Sequence, residues 1–184
     1  MLEIELKFRN TNRGAVEAAL DRLGANRIES RDESDHYFNA PDRDFRSTDE
    51  VLRLRRVGNA GTLTYKGPKR GGAAKTREEH EVRLVDGEHG SAEVLIRALG
   101  YRSSAIVVKR RTLYSLSRDG FELHVCLDKL DGIGEFVEIE IVAEERELAR
   151  AEATVSAVAA DLALKEPEPR AYLRMVLESQ GIDR

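Results

Sequence analysis

From Leu2 to Arg9 apolar and charged residues alternate without a break. A period of two puts Leu2, Ile4, Leu6 and Phe8 on one face of a strand and Glu3, Glu5, Lys7 and Arg9 on the other. Asn10 to Asn12 then offer helix-starting side chains; Val16, Ala19, Leu20 and Leu23 recur at helical spacing, and Gly24 is a stop. The pattern returns to strands at Ser34–Ala40, Glu50–Val57, Thr62–Lys66 and Thr76–Val85. A helix is expected over Ser91–Leu99, with Val94, Leu95, Ala98 and Leu99 as its apolar stripe. Two long strands follow, Ser104–Ser117 and Gly120–Leu127, joined by the hairpin signal Asp119-Gly120. The eighth strand is Phe136–Val142. Two helices close the chain, one over Glu144–Leu164 and one running to Ser179, with Pro169 fitting the first turn of the latter.

Composition narrows the classes. Charged residues make up 35% of the 184, yet the net charge is only -4. With no global basic field, no nucleic-acid partner is expected. The single cysteine, Cys126, excludes an intrachain disulfide and offers no thiol cluster for zinc. No run approaches the roughly 18 apolar residues of a membrane span, and the charged first strand is unlike a signal peptide. A cytoplasmic protein without membrane association is expected. His36 is a lone histidine and reads as a structural or surface residue.

The charged strand faces change the picture further. With helices covering the apolar faces, an antiparallel sheet of about eight strands closes into a barrel whose charged face turns inward. Its lumen would hold Lys7, Arg53, Arg55, Lys66, Arg77, Lys109 and Arg111 beside Glu3, Glu5, Glu79, Glu81, Asp128, Glu138 and Glu140. Arginine forks and lysine point charges suit a chain of phosphates. Crowded carboxylates repel unless a hard cation such as Mg²⁺ or Mn²⁺ joins them. A polyphosphate with its metals fits both halves. Gly67–Lys75 lacks P-loop spacing and reads as a basic loop, either a mobile connection or a lid at the mouth.

Glu3-x-Glu5-x-Lys7, then Arg53 and Arg55, Lys66, Arg77-x-Glu79-x-Glu81, Lys109-x-Arg111, Asp128 and Glu138-x-Glu140 occur in this order along the chain. In this the sequence resembles the CYTH family, the triphosphate tunnel metalloenzymes named for class IV adenylyl cyclases and thiamine triphosphatases. The resemblance implies an α+β fold: one domain over 1–184, an eight-stranded closed antiparallel tunnel with helices outside. It implies Glu3, Glu5, Glu138 and Glu140 as metal ligands, with Asp128 as a further one. Lys7, Arg53, Arg55, Lys66, Lys109 and Arg111 would hold phosphates. Arg77 would serve them or a salt-bridge network, and Glu79 and Glu81 would support. Lys7 and Lys66 are the candidate catalytic cations. The cofactor would be Mg²⁺ or Mn²⁺, the substrate inorganic triphosphate, ATP or thiamine triphosphate, and a homodimer is compatible. Hydrolysis asks less of such a site than cyclisation, since it needs no base recognition and no folded ribose. Cyclic AMP synthesis is the alternative, and a non-catalytic polyphosphate or nucleotide binder is the reading outside catalysis.

Overall fold

A computed structural model of the chain describes residues 2–10, 12–68 and 78–182. Arg77 and most of the basic loop lie outside these. The alternating segments become eight strands in one sheet: β1 (Leu2–Arg9), β2 (Asn26–Asn39), β3 (Val51–Val57), β4 (Ala60–Lys66), β5 (Glu79–Arg83), β6 (Arg102–Arg118), β7 (Phe121–Leu130) and β8 (Gly134–Ala143). The helices are α1 (Arg13–Arg22), α2 (Phe45–Thr48), α3 (His89–Ala98), α4 (Leu148–Asp161) and α5 (Tyr172–Ser179). The strand order is β1-β8-β7-β6-β2-β3-β4-β5. The ladders β1·β8, β7·β8, β2·β3, β3·β4 and β4·β5 are antiparallel.

The expected closure of the sheet is not present. Among the described residues the order has two ends, β1 and β5, and no ladder joins them. The edge of β1 is taken by the segment after α4: Phe8 bridges Pro167, and the Glu168 N–H donates to the Lys7 carbonyl at 2.7 Å. Occupying an edge in this way removes the unpaired groups that a further strand would use. At the other end, β5 is only five residues long, and all five are exposed.

The chain forms two compact units, Met1–Arg31 with Arg110–Arg170 and Asp32–Lys109 with Ala171–Arg184. In the first unit, α1 starts where the sequence indicates: the Asn12 side chain accepts from the Ala15 N–H at 3.1 Å. Val16, Ala19 and Leu20 of α1 and Val155 and Val158 of α4 bury against Leu123, Val125, Val137, Ile139 and Ile141. Those five sheet residues are the apolar parity of β7 and β8, so the pattern alone selects the covered face. Asp119 and Gly120, at φ 52° and 79°, make the tight turn between β6 and β7.

In the second unit one apolar cluster buries Phe38, Leu54 and Ile96, flanked by Leu52, Leu63, Leu84, Ala92 and Tyr101. Here the apolar stripe expected for α3 fails. Val94, Leu95 and Leu99 are 70%, 61% and 64% exposed, while Ile96 is 5% exposed. Helical periodicity finds a stripe, but three apolar residues in a row (Val94, Leu95, Ile96) leave its rotation to tertiary contacts. Three boundaries also move. β2 begins at Asn26 rather than Ser34. The long closing helix is a 3₁₀ turn at Glu145–Glu147 followed by α4, and α5 begins at Tyr172, past Pro169.

Candidate active site

In the first unit the charged parity of β1, β7 and β8 forms a lattice. Register places Glu5 opposite Glu140 and Lys7 opposite Glu138, and across β8 it places His124 opposite Glu140 and Cys126 opposite Glu138. Lys7 Nζ lies 3.1 Å from Glu138 and 3.4 Å from Glu5, and donates to the Arg170 carbonyl at 3.4 Å. Arg111, from β6, grips Asp128 with a fork: Nε to Oδ1 at 2.7 Å and Nη2 to Oδ2 at 2.5 Å. Its Nη2 also donates to Glu138, and its Nη1 lies 3.8 Å from Glu140. The structure thus gathers Glu5, Lys7, Arg111, Asp128, Glu138 and Glu140. Glu3 is two residues from Glu5 on the same parity of β1.

Asp128, expected among the metal ligands, has both carboxylate oxygens on the Arg111 fork. Arg111, expected to hold phosphate, is wrapped by three carboxylates. Burial opposes its charge, but Asp128 first and Glu138 after it hold the guanidinium well above its usual range. Burial likewise disfavours the Lys7 ammonium, and Glu138 and Glu5 outweigh it, so its pKa is raised.

The carboxylates crowd one another. Glu5, Asp128, Glu138 and Glu140 share the cations Lys7 and Arg111. Desolvation by the surrounding strands pushes Glu5 up to about 7, though its side chain is still 39% exposed, and Glu138 adds to the rise. Burial also pushes Glu140 up to about 7, with Glu138 and Glu5 contributing against the opposing Arg111. An open cleft of about 470 Å³ is lined by Glu3, Glu122, His124 and Glu140. Among the described residues no three His, Cys, Asp or Glu side chains are gathered as a ready ligand cage. Mg²⁺ prefers oxygen donors, keeps several waters and is held by one or two carboxylates plus substrate phosphates, and the donors here are carboxylates. The donor set therefore fits a hard divalent cation. Cys126 is buried, and burial pushes its thiol up, which suits packing rather than nucleophilic chemistry.

The second unit carries the cationic group. Register aligns Tyr37, Arg53, Thr64 and Glu81 in one row across four strands, and Asp35, Arg55 and Thr62 in the next. Arg55 forks onto Asp35 with Nε to Oδ1 at 2.6 Å and Nη2 to Oδ2 at 2.7 Å. Glu33 Oε2 lies 3.3 Å from Arg55 and 3.4 Å from Lys109 Nζ. Lys109 Nζ sits 5.0 Å from the centre of the Tyr172 ring, a cation–π contact. Arg53 donates to Thr64 Oγ1 at 3.3 Å and lies 3.9 Å from Asp35. Its Nε is a buried donor with no hydrogen-bond partner among the described residues. Lys66 pairs with Glu79 at 2.9 Å, and Glu81 accepts from Thr64 at 3.4 Å. Burial pushes Tyr37 up to about 12. Burial opposes the Asp35 charge too, but the Arg55 fork outweighs it and lowers that pKa.

Sequence reasoning missed Glu33 and Asp35, which are 1% and 2% exposed. A signal existed: Glu33, Asp35 and Tyr37 share parity. The opposite face at Ser30, Asp32 and Ser34 has no apolar residue, so no binary pattern marked this part of the strand. His124 was also passed over; only register shows it opposite Glu140. His36 is structural, as expected, with Nε2 2.7 Å from Ser103 Oγ and Nδ1 3.5 Å from Glu93.

Comparison with known proteins places this arrangement. "Putative adenylate cyclase MJ0240" of Methanocaldococcus jannaschii is 36% identical over 140 residues, 76% of this chain and 77% of that protein. "Adenylate cyclase CyaB" of Aeromonas hydrophila is 28% identical over 149 residues, covering 79% and 72%. The solved structure of PH1819 protein from Pyrococcus horikoshii aligns with TM-score 0.81 and 33% identity, over 96% of this chain and 99% of that one. The model of the CYTH domain matches residues 1–172, so this chain belongs to the CYTH domain family.

Proposed function

We propose that the chain is a divalent-metal-dependent enzyme that hydrolyses the terminal phosphate of an inorganic or organic triphosphate. The observation that carries this reading is the direct opposition of the like-charged Glu5 and Glu140 across β1 and β8, with Glu138 beside them. Protons or a cation must neutralise such a pair, and at neutral pH a divalent ion is the better neutraliser. Glu3, Glu5, Glu138 and Glu140 would hold Mg²⁺ or Mn²⁺. The bound ion supplies Lewis-acid polarisation of phosphate oxygens and lowers the pKa of a coordinated water.

The chain's own residues do the rest. Arg53, Arg55, Lys66 and Lys109 bind phosphate oxygens, with Arg77 as a further candidate. Glu33 and Asp35 hold the cations in place, so that binding costs little reordering. The unpartnered Arg53 Nε supports an anionic ligand in this group. Lys7 and Lys66 neutralise charge as it shifts in the transition state. Asp128 fixes the Arg111 guanidinium, which in turn orients Glu138. Glu79 and Glu81 support Lys66 and Thr64.

Synthesis of cyclic AMP from ATP is the second reading, favoured by the names of the Methanocaldococcus and Aeromonas relatives. Product analysis separates the two. Purified protein is given ATP or inorganic triphosphate with Mg²⁺ or Mn²⁺, and again with the metal chelated. Orthophosphate from inorganic triphosphate, only with metal, is the expected result. Cyclic AMP and pyrophosphate from ATP would replace hydrolysis by cyclisation, and turnover of neither compound would leave a binding protein.

A further inference from the structure

The cationic group of the second unit contains a buried lysine whose ammonium is held by two groups of different chemistry. Lys109, on β6, is 4% exposed. The first group is Glu33: its Oε2 lies 3.4 Å from Lys109 Nζ, and the same oxygen lies 3.3 Å from Arg55. Both distances exceed the 2.6 and 2.7 Å of the Arg55–Asp35 fork. They also exceed the roughly 2.7–2.9 Å of a strong charge-assisted hydrogen bond. A point charge on a flexible stem is not fixed by a contact of that kind. The second group is the Tyr172 ring, its centre 5.0 Å from Nζ. Tyr172 opens α5 and is buried there; Met175 and Val176, three and four positions on, are buried with it, so the apolar face of the helix anchors the ring. Tyrosine has few side-chain torsions and makes a stiff platform. Its ring face attracts a cation without carrying a net charge, where a second carboxylate in that place would neutralise the ammonium.

We infer that Tyr172 is a positioning residue of the phosphate-binding group: its ring face holds the Lys109 ammonium in place, still charged, for a phosphate of the substrate. This rests on the triphosphate reading above and adds to it an aromatic residue of α5 that acts through Lys109. Glu33, shared between Arg55 and Lys109, sets the two cations beside one another, and Tyr172 keeps Lys109 from closing fully onto that carboxylate. A cation placed in advance loses less freedom when the ligand arrives.

The test separates the ring face from the bulk of the side chain. Calorimetric titration with inorganic triphosphate and Mg²⁺ compares the wild-type chain with Tyr172→Phe, Tyr172→Leu, Lys109→Met and the double variant of Tyr172→Leu with Lys109→Met. Tyr172→Phe, which keeps the ring, is expected to stay within about two-fold of wild type. Tyr172→Leu, which keeps an apolar filling, is expected to weaken binding by about five-fold or more, the scale of a cation–π contact shielded from water. In the Lys109→Met background Tyr172→Leu should add less than about two-fold, since the ring then has no cation to hold. Wild-type affinity in Tyr172→Leu, an equal loss in Tyr172→Phe, or a full Tyr172→Leu effect without Lys109 each overturns the assignment while the triphosphate reading stands. No binding by the wild type overturns both. Should Tyr172→Leu fail to fold, phenylalanines carrying one, two and three ring fluorines at position 172 keep the shape of the ring and drain negative charge from its face. Affinity should then fall with each fluorine, and a flat series overturns the assignment.

Discussion

At the residue scale, charge crowding and charge pairing make separable predictions. Glu5 and Glu140 stand directly opposite on neighbouring strands, where like charges destabilise a sheet. Glu5→Gln is therefore expected to leave thermal stability unchanged or higher while abolishing metal-dependent turnover. Melting curves and phosphate release check the two halves, and full activity would remove Glu5 from the metal site. Arg55 makes the opposite case, since it is held by Asp35 and Glu33. Arg55→Ala is expected to weaken triphosphate binding by about ten-fold or more, the value of a charge-assisted hydrogen bond. Unchanged affinity in a titration would place Arg55 outside the phosphate group. Glu50 gives a pH prediction away from these clusters. Its hydrogen bonds from Arg43 and Tyr65 lower its pKa to about 2 from the usual 4.5. A depressed carboxylate contributes stability that is present above the unfolded value and is lost as pH falls toward the folded one. Wild-type stability should thus fall between about pH 4.5 and 2 more steeply than that of Glu50→Gln. Parallel acid-denaturation curves would show that the Glu50 contacts contribute nothing.

At the element scale, α3 shows what a periodic pattern leaves undecided. Its stripe was legible as apolar, but the buried residue is Ile96 and the exposed ones are Val94, Leu95 and Leu99. Ile96→Ala should cost about 2–5 kcal/mol, as large-to-small core changes do. Leu95→Gln should change stability by no more than about 0.5 kcal/mol, as exposed substitutions do. Urea unfolding of both variants checks this, and a costly Leu95→Gln would mean that the exposed face is covered by a partner. β2 teaches a related lesson. Its second half, with Tyr37 and Phe38, was readable from alternation. Its stretch from Glu29 to Ser34 contains Glu33 and is polar on both parities, so only pairing with neighbouring strands could define it as a strand.

At the scale of the whole molecule, ligand binding is linked to folding. A metal and a triphosphate that bind only the folded chain raise its stability by mass action, by about 2.7 kcal/mol at a hundred-fold excess over Kd. Mg²⁺ with inorganic triphosphate should therefore raise the melting temperature by several degrees, and chelation should reverse the rise. No shift at saturating concentration would argue against both the cation site and the phosphate site. No helix among the described residues is long and apolar enough to cross a membrane.

The sequence by itself determined the strands with strict alternation and the face each one buries, because in a strand parity is fixed by covalent geometry. It determined the Asp119-Gly120 turn and the start of α1, which depend on local backbone chemistry. It also determined the family, since the charged pairs recur at fixed order along the chain. Tertiary structure alone decided what those charges do to one another. Cross-strand register set Glu5 against Glu140 and His124 beside them. The fork of Arg111 took Asp128, and β2 brought Glu33 and Asp35 to Arg55 and Lys109. The two ends of the sheet were decided the same way, when Pro167 and Glu168 settled on the edge of β1. Register, edge pairing and helix rotation depend on residues far apart in the chain, and a local hydrophobic pattern carries no information about which distant partner will be met.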